Sequence, residues 1–231
     1  MEKGCLARTR WHVTARIVDV ALPWIAASAT AALRERGCFH LVLAGGNTPL
    51  ALYQRMAELQ TDWSAWHIWF GDERCLPVTD AERNSQMVNT AWLSDSAIPK
   101  QQIHLIRAEL GAPAAAADYL MQLRGVARFD LVLLGLGEDG HTASLFPGHG
   151  YEDALADVVA VSNAPKPPAD RVSLTARRLS DAATVLFLIA GVAKRDAVAA
   201  WQHGAAIPAA TICPEVGVDV LIEPVCMEIQ K

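Results

Sequence analysis

The stretch from residue 129 to residue 148, F-D-L-V-L-L-G-L-G-E-D-G-H-T-A-S-L-F-P-G, constrains this chain more than any other. Leu131 to Leu134 form an apolar run bounded by Asp130 and Gly135, the pattern of a strand buried on both faces of a parallel sheet. Gly135, Gly137 and Gly140 follow, and then His141. Glycine permits positive φ and lets backbone come close to a ligand. Open α/β sheets bind their ligands beyond the carboxyl ends of their strands. A titratable imidazole is thus delivered to the place where such a fold does its chemistry.

The three glycines also spell G-x-G-x-x-G. A dinucleotide site would need a full helix after the last glycine and a second strand ending in an acidic residue about 20 positions on. Here Pro147, Gly148 and Gly150 interrupt the chain within two turns of His141, and no second strand precedes Asp157. A nicotinamide or flavin coenzyme is rejected.

The rest of the chain alternates strand and helix patterns. A loose edge strand is expected over 13–20 and a helix over 21–36 with Gly37 as its C-cap. Phe39 to Ala44 read as a buried strand leading into Gly45-Gly46-Asn47-Thr48-Pro49. Thr48 suits the N-cap and Pro49 the first position of the following helix, whose N-H groups then suit a phosphate. Residues 66–71 form another strand, and Asp72, Glu73 and Arg74 lie at its carboxyl end. Further helices are expected over 84–93, capped by Asn84, and over 113–124, with a short strand over 103–106. Residues 147–170 read as an irregular, proline-rich loop of the kind that covers sites. Strands at 171–175, 184–190 and 218–222 and a helix over 192–202, with Lys194 in its first turn, complete the pattern. The alternation predicts a single doubly wound α/β domain spanning residues 1–231.

Three strands therefore end in polar clusters, Gly45-Gly46-Asn47-Thr48, Asp72-Glu73-Arg74 and Asp139-Gly140-His141, with Arg171 and Lys194 beside two more. A lysine in the first turn of a helix faces the unfavourable dipole end, which a bound anion relieves. Together these residues describe an anion pocket with an acid/base group at its edge.

Bulk properties narrow the partners. Hydrophobic residues make up 52% and charged residues 19% of the chain, so a sizeable core is expected. The net charge is -5 and no basic run exceeds two residues, which argues against general nucleic-acid binding. Five cysteines at 5, 38, 75, 213 and 226 show no paired spacing and no zinc pattern, so a reduced, cytoplasmic setting is expected. No uninterrupted apolar run reaches the ~18 residues of a membrane span, and the N-terminus lacks a signal-peptide core.

The set G-G-x-T-P, D-E-R, G-x-G-x-D-G-H-T-A-S-L-F-P, R-V-S-L-T and G-x-x-K, in this order from about residue 39 to 195, closely resembles the 6-phosphogluconolactonase family. The resemblance implies a Rossmann-like, mainly parallel sheet flanked by helices. It implies hydrolysis of 6-phospho-D-glucono-1,5-lactone to 6-phosphogluconate in the oxidative pentose phosphate pathway, with no metal or cofactor. A phosphosugar lactone is the partner it implies, for a monomer or weak homodimer. By position, His141 is then the general base that activates water, and an imidazole pKa near ~6.5 suits that role. Asp139 or Asp72 orients the imidazole or the water. Gly45, Gly46, Asn47, Thr48, Arg74, Arg171 and Lys194 hold the phosphate and balance developing charge. Asn47, Arg83 and the C-terminal tail depart from the family's usual residues.

Two rivals share parts of this pattern. Glucosamine-6-phosphate deaminases place a ring-opening glutamate seven residues after the D-G-H aspartate, where this chain has Phe146. A non-catalytic sugar-phosphate sensor on the same fold is separated from an enzyme by whether binding is accompanied by turnover.

Overall fold

The computed structural model describes residues 3–151 and 154–227. In chain order the elements are α1 (Lys3–Leu6), β1 (Arg10–Val13), α2 (Ile17–Arg36), β2 (Phe39–Leu43), α3 (Asn47–Tyr53), β3 (Trp66–Phe70), β4 (Asp72–Arg74) and α4 (Asn84–Ala91). They continue with α5 (Ala112–Gln122), β5 (Phe129–Leu134), β6 (Val158–Val161), β7 (Arg171–Leu174), α6 (Ala176–Ser180), β8 (Ala182–Ile189), α7 (Arg195–Gln202) and β9 (Val218–Ile222). Short 3-10 turns join many of them.

Six strands form one parallel sheet in the order β1-β9-β8-β5-β2-β3. Strand β5 sits inside it with all six residues buried, as its apolar run Leu131 to Leu134 requires. From β2 the chain moves outward to β3, whereas from β5 it moves the other way through β8 to β9. The strand order reverses between β2 and β5, so the turns after these two strands open onto one crevice, the ligand position of doubly wound sheets. The fold agrees with the expected α/β class.

Helix α2 begins at Ile17 rather than 21 and takes up half of the expected edge strand; the observed strand, β1, lies earlier and shares only Val13 with it. Ile17, Ala21, Leu22, Ile25, Ala29 and Ala32 recur at helical spacing, are buried, and pack toward β2, β5 and β9. Gly37 ends the helix at φ 74° and donates its N-H to the carbonyl of Leu33. By length and composition this helix could also cross a membrane, although polar residues scattered along it break any uninterrupted apolar run.

The largest departure from expectation is a second, antiparallel sheet, β4-β7-β6. Asp72-Glu73-Arg74 is a strand rather than a polar turn, paired with Arg171, Val172 and Ser173. Part of the expected irregular loop, Val158–Val161, is the other edge of this sheet; residues 152 and 153 of that loop and 228–231 of the tail lie outside the described residues. A three-residue charged strand carries no periodicity, so only its partner reveals it. The expected strand at 103–106 reduces to a bridge between Ile68 and Ile103. Helix α3 starts at Asn47 with Gly46 as N-cap, ahead of the expected Thr48, and Arg83 rather than Asn84 precedes α4. Cys5 and Cys213 are paired as a disulfide, with Cα atoms 5.6 Å apart, correcting the expectation that all five cysteines stay reduced. Their separation of 208 residues hides the pair from any local spacing rule.

Candidate active site

The crevice above β2 and β5 holds a cavity of about 320 Å³. Its centre is the turn that follows β5. Gly137 N-H donates to the carbonyl of His141 at 2.7 Å, and Gly140 N-H to that of Gly137 at 3.1 Å, closing the turn on itself. A side chain on Gly137 would stand 2.0 Å from His141 Nδ1, so glycine is required for the imidazole to occupy its place. Gly140 takes φ 85° beneath Ile207 and needs its glycine for both reasons. The turn thus exists to deliver His141 and Asp139 together.

Asp139 Oδ1 lies 2.5 Å from His141 Nδ1 and also accepts the His141 N-H. Burial, and then the His141 hydrogen bond in the opposite sense, act on Asp139, whose carboxyl falls below its ordinary range. The ionised carboxylate accepts, so Nδ1 carries the proton and Nε2 is the basic nitrogen. Burial pushes the His141 pKa below its usual value, against the opposing pull of Asp139. Among the described residues Nε2 has no hydrogen-bond partner. The site holds a neutral imidazole, fixed in tautomer and open on its outer side.

Asp72 is occupied differently. Ser144 Oγ donates to its Oδ2 at 2.6 Å, and Asn84 Nδ2 to its Oδ1 at 3.1 Å and its carbonyl at 3.0 Å. It has no hydrogen bond to either nitrogen of His141, whereas Asp139 lies against Nδ1. Asp72 presents a hydrogen-bonded carboxyl group to the cavity instead. Ser144 is placed by Ala143, which adopts φ 48°, an uncommon conformation for a residue with a Cβ.

The neighbours of Asp72 in β4 divide by face. Glu73, 1% exposed, turns away from the cavity and accepts the N-H groups of Arg74, Asn84 and Ser85 at 2.8, 2.8 and 2.9 Å. It thereby caps α4 and fixes Asn84 against Asp72. Arg83 completes the fastening at 3.5 Å from Glu73. Arg74 lines the cavity, and its Nη1 donates to Glu82 O at 2.6 Å. Burial pushes the adjacent Cys75 thiol up to about 11, so it is a weak nucleophile at neutral pH.

Gly45, Gly46, Arg171 and Lys194 also line the cavity. A Cβ on Gly45 would meet Asn84 Oδ1 at 2.1 Å, which explains the glycine. Lys194 ends a 3-10 turn over Val192–Lys194 and caps α7, rather than lying within its first turn. Asn47 and Thr48 line a neighbouring groove with Arg16, Asp19, Arg55 and Glu223, and not the His141 cavity. Phe146 stands in the cavity wall, 4.6 Å from the His141 ring centroid and 5.4 Å below the Arg171 guanidinium. Asn84, Ser144 and Lys166 reach the site although the sequence reading did not assign them there. Ser144 lies three residues after His141 in the same motif and Lys166 in the proline-rich loop expected to cover a site, signals available in the sequence; Asn84 comes from a segment that only tertiary structure brings near.

Similarity to known proteins fits this geometry. The model for glucosamine-6-phosphate isomerases/6-phosphogluconolactonase matches residues 13–221. A 6-phosphogluconolactonase of Mycobacterium leprae is 39% identical over 197 residues, 78% of this chain and 79% of that protein. Chloroplastic 6-phosphogluconolactonase 3 of Arabidopsis thaliana is 34% identical over 79% of this chain but only 62% of its own length, and the chain spans 23% of a rabbit GDH/6PGL endoplasmic bifunctional protein. The crystal structure of 6-phosphogluconolactonase from Thermotoga maritima superposes with a TM-score of 0.88 at 28% identity, covering 93% of this chain and 99% of that one. The chain belongs to the glucosamine-6-phosphate isomerase/6-phosphogluconolactonase family.

Proposed function

We propose that the protein hydrolyses 6-phospho-D-glucono-1,5-lactone to 6-phospho-D-gluconate, in the oxidative pentose phosphate pathway. One observation carries the reading: His141 lines a cation-lined crevice with an Nε2 that is unpartnered among the described residues, while Asp139 holds Nδ1 at 2.5 Å. In this reading water lies between Nε2 and the lactone carbonyl. His141 takes its proton as the oxygen attacks, and the imidazolium returns that proton to the ring oxygen as the C-O bond breaks. Asp139 holds the tautomer and balances the imidazolium charge. Arg74, Arg171, Lys194 and the Gly45-Gly46 backbone receive the phosphate and offset the developing oxyanion. Asn47 and Thr48, in the adjoining groove, contribute through the start of α3 rather than by side-chain contact.

The chain acts in this proposal as one catalytic unit, a monomer or weak homodimer, in the cytoplasm. Sizing chromatography and the redox state of Cys5 and Cys213 in cells test those two parts.

The test of the activity is hydrolysis of freshly generated lactone, corrected for spontaneous opening, by wild type and His141→Ala. We expect a fall in kcat/KM of about 10²- to 10⁴-fold in a variant that still folds. Wild type no faster than the background would sink the proposal. Glucosamine 6-phosphate would then be tried, although Phe146, packed against His141, has no proton to exchange in a ring-opening step.

A further inference from the structure

Arg171, which lines the cavity, commits two of its three nitrogens to the chain's own backbone. Its Nε donates to Pro168 O at 3.1 Å, and its Nη2 to Lys166 O at 2.9 Å and Pro167 O at 3.0 Å. Three consecutive carbonyls of the segment between β6 and β7 are thus gathered by one guanidinium, itself 5% exposed and seated over Phe146. The segment is closed further by Ala164 N-H donating to Ala169 O at 2.9 Å, and tied to the end of β4 by Cys75 N-H donating to Asp170 O at 3.0 Å. At its tip Lys166 extends into the His141 cavity and has no hydrogen-bond or ion-pair partner among the described residues. Arg74 is also partly committed, to Glu82 O. Two lysines, Lys166 and Lys194, therefore supply the cavity with ammonium groups that have no hydrogen-bond or ion-pair partner among the described residues.

We propose that Lys166 is a substrate-binding residue that contacts the phosphate of the sugar ligand, and that Arg171 is the positioning residue that holds it there by gathering the carbonyls of residues 166 to 168. A dianionic phosphate needs several cations around it, and a lysine on a free loop would lose much of its contribution to the entropy of ordering that loop. Three hydrogen bonds from a rigid fork meet that cost in advance. The inference rests on the phosphosugar reading of the site and adds a residue and a division of labour to it.

The test is a double-mutant cycle with Lys166→Ala and Arg171→Lys, which keeps the charge and loses the fork. Hydrogen exchange of residues 162–170 is read alongside kinetics on the phosphorylated lactone. We expect faster exchange in Arg171→Lys and unchanged exchange elsewhere in the chain. Each single variant should lose about 10- to 100-fold in kcat/KM, mainly through KM, and the double variant should lose little more than the worse single one. With glucono-1,5-lactone, which has no phosphate, the KM penalty of Lys166→Ala should disappear. Multiplying losses, or unchanged exchange in Arg171→Lys, would overturn the positioning role. A loss that persists on the unphosphorylated lactone would overturn the phosphate contact. The two readings fail separately: an active wild type with an undiminished Lys166→Ala overturns only this inference, whereas a wild type that neither turns over the lactone nor binds 6-phosphogluconate in calorimetry overturns both.

Discussion

Asp139 and His141 meet at 2.5 Å through Oδ1 and Nδ1 across a turn that a single added methyl at Gly137 would close. Two residues apart in sequence, they form a pair only because Gly137 and Gly140 let the chain fold back over them. The carboxylate therefore decides which ring nitrogen faces the crevice.

Replacing Asp139 by Asn removes that decision. The amide can donate to Nδ1 and stabilise the wrong tautomer, so kcat should fall by about 100-fold or more with KM little changed. Steady-state kinetics on the lactone check this, and a kcat within threefold of wild type would assign tautomer control elsewhere.

The pH profile follows from the same pair. Burial lowers the His141 pKa and Asp139 pulls it up. Neutral imidazole is the active form, so kcat/KM should rise with pH through a midpoint below the ~6.5 of a free histidine. Loss of the Asp139 charge removes the upward pull, and the residual activity of Asp139→Asn should show its acid limb at still lower pH. A midpoint that moves upward would contradict this order of effects.

Gly137→Ala should separate stability from activity. The new Cβ lies 2.0 Å from His141 Nδ1 and 2.6 Å from Asp139 Oδ1, so the side chains, rather than the sheet, must give way. An activity loss of about 100-fold with only a small change in Tm is expected, since displacement of about 1 Å at a reacting group costs this much.

Glu73 should behave in the opposite sense. Its carboxylate accepts three N-H groups and faces buried Arg83, yet it does not touch the cavity. Glu73→Gln leaves the Arg83 charge less compensated and should destabilise the fold by about 3 kcal/mol. Urea denaturation measures this directly, and activity at low temperature should survive better than stability.

A cluster of histidines outside the site should contribute to acid sensitivity. His40, His67 and His104 stack against one another and Trp69 beside β2 and β3, with ring centroids of 4.6 Å for His40–His67 and 3.7 Å for Trp69–His104. Burial first, and then mutual repulsion, lower His40 and His104 to about 4. Between about 4 and the ~6.5 of the unfolded chain, the unfolded state binds more protons, so stability rises with pH across this window and is lost as pH falls through it. His104→Phe keeps an aromatic face against Trp69 and should flatten the fall of Tm between pH 6.5 and 4. An unchanged slope would remove these residues from acid unfolding.

The sequence alone determined the parallel sheet, the strand β5, the C-cap at Gly37 and the glycine turn carrying Asp139 and His141, because each is written in local periodicity or in a backbone conformation that only glycine tolerates. It also named Asp72, Arg74, Arg171 and Lys194, which all line the cavity. Tertiary structure decided what those residues do. The pairing of β4 with β7, some 100 positions apart, turns Glu73 away from the site and Asp72 toward Ser144 and Asn84. The same pairing gives Arg171 three carbonyls to hold and brings Lys166 to the cavity that His141 lines, while Asn47 and Thr48 fall into the next groove. A three-residue charged strand and a disulfide between Cys5 and Cys213 leave no local trace. Their energy comes from partners far along the chain, and only the folded sheet brings those partners within hydrogen-bonding and bonding range.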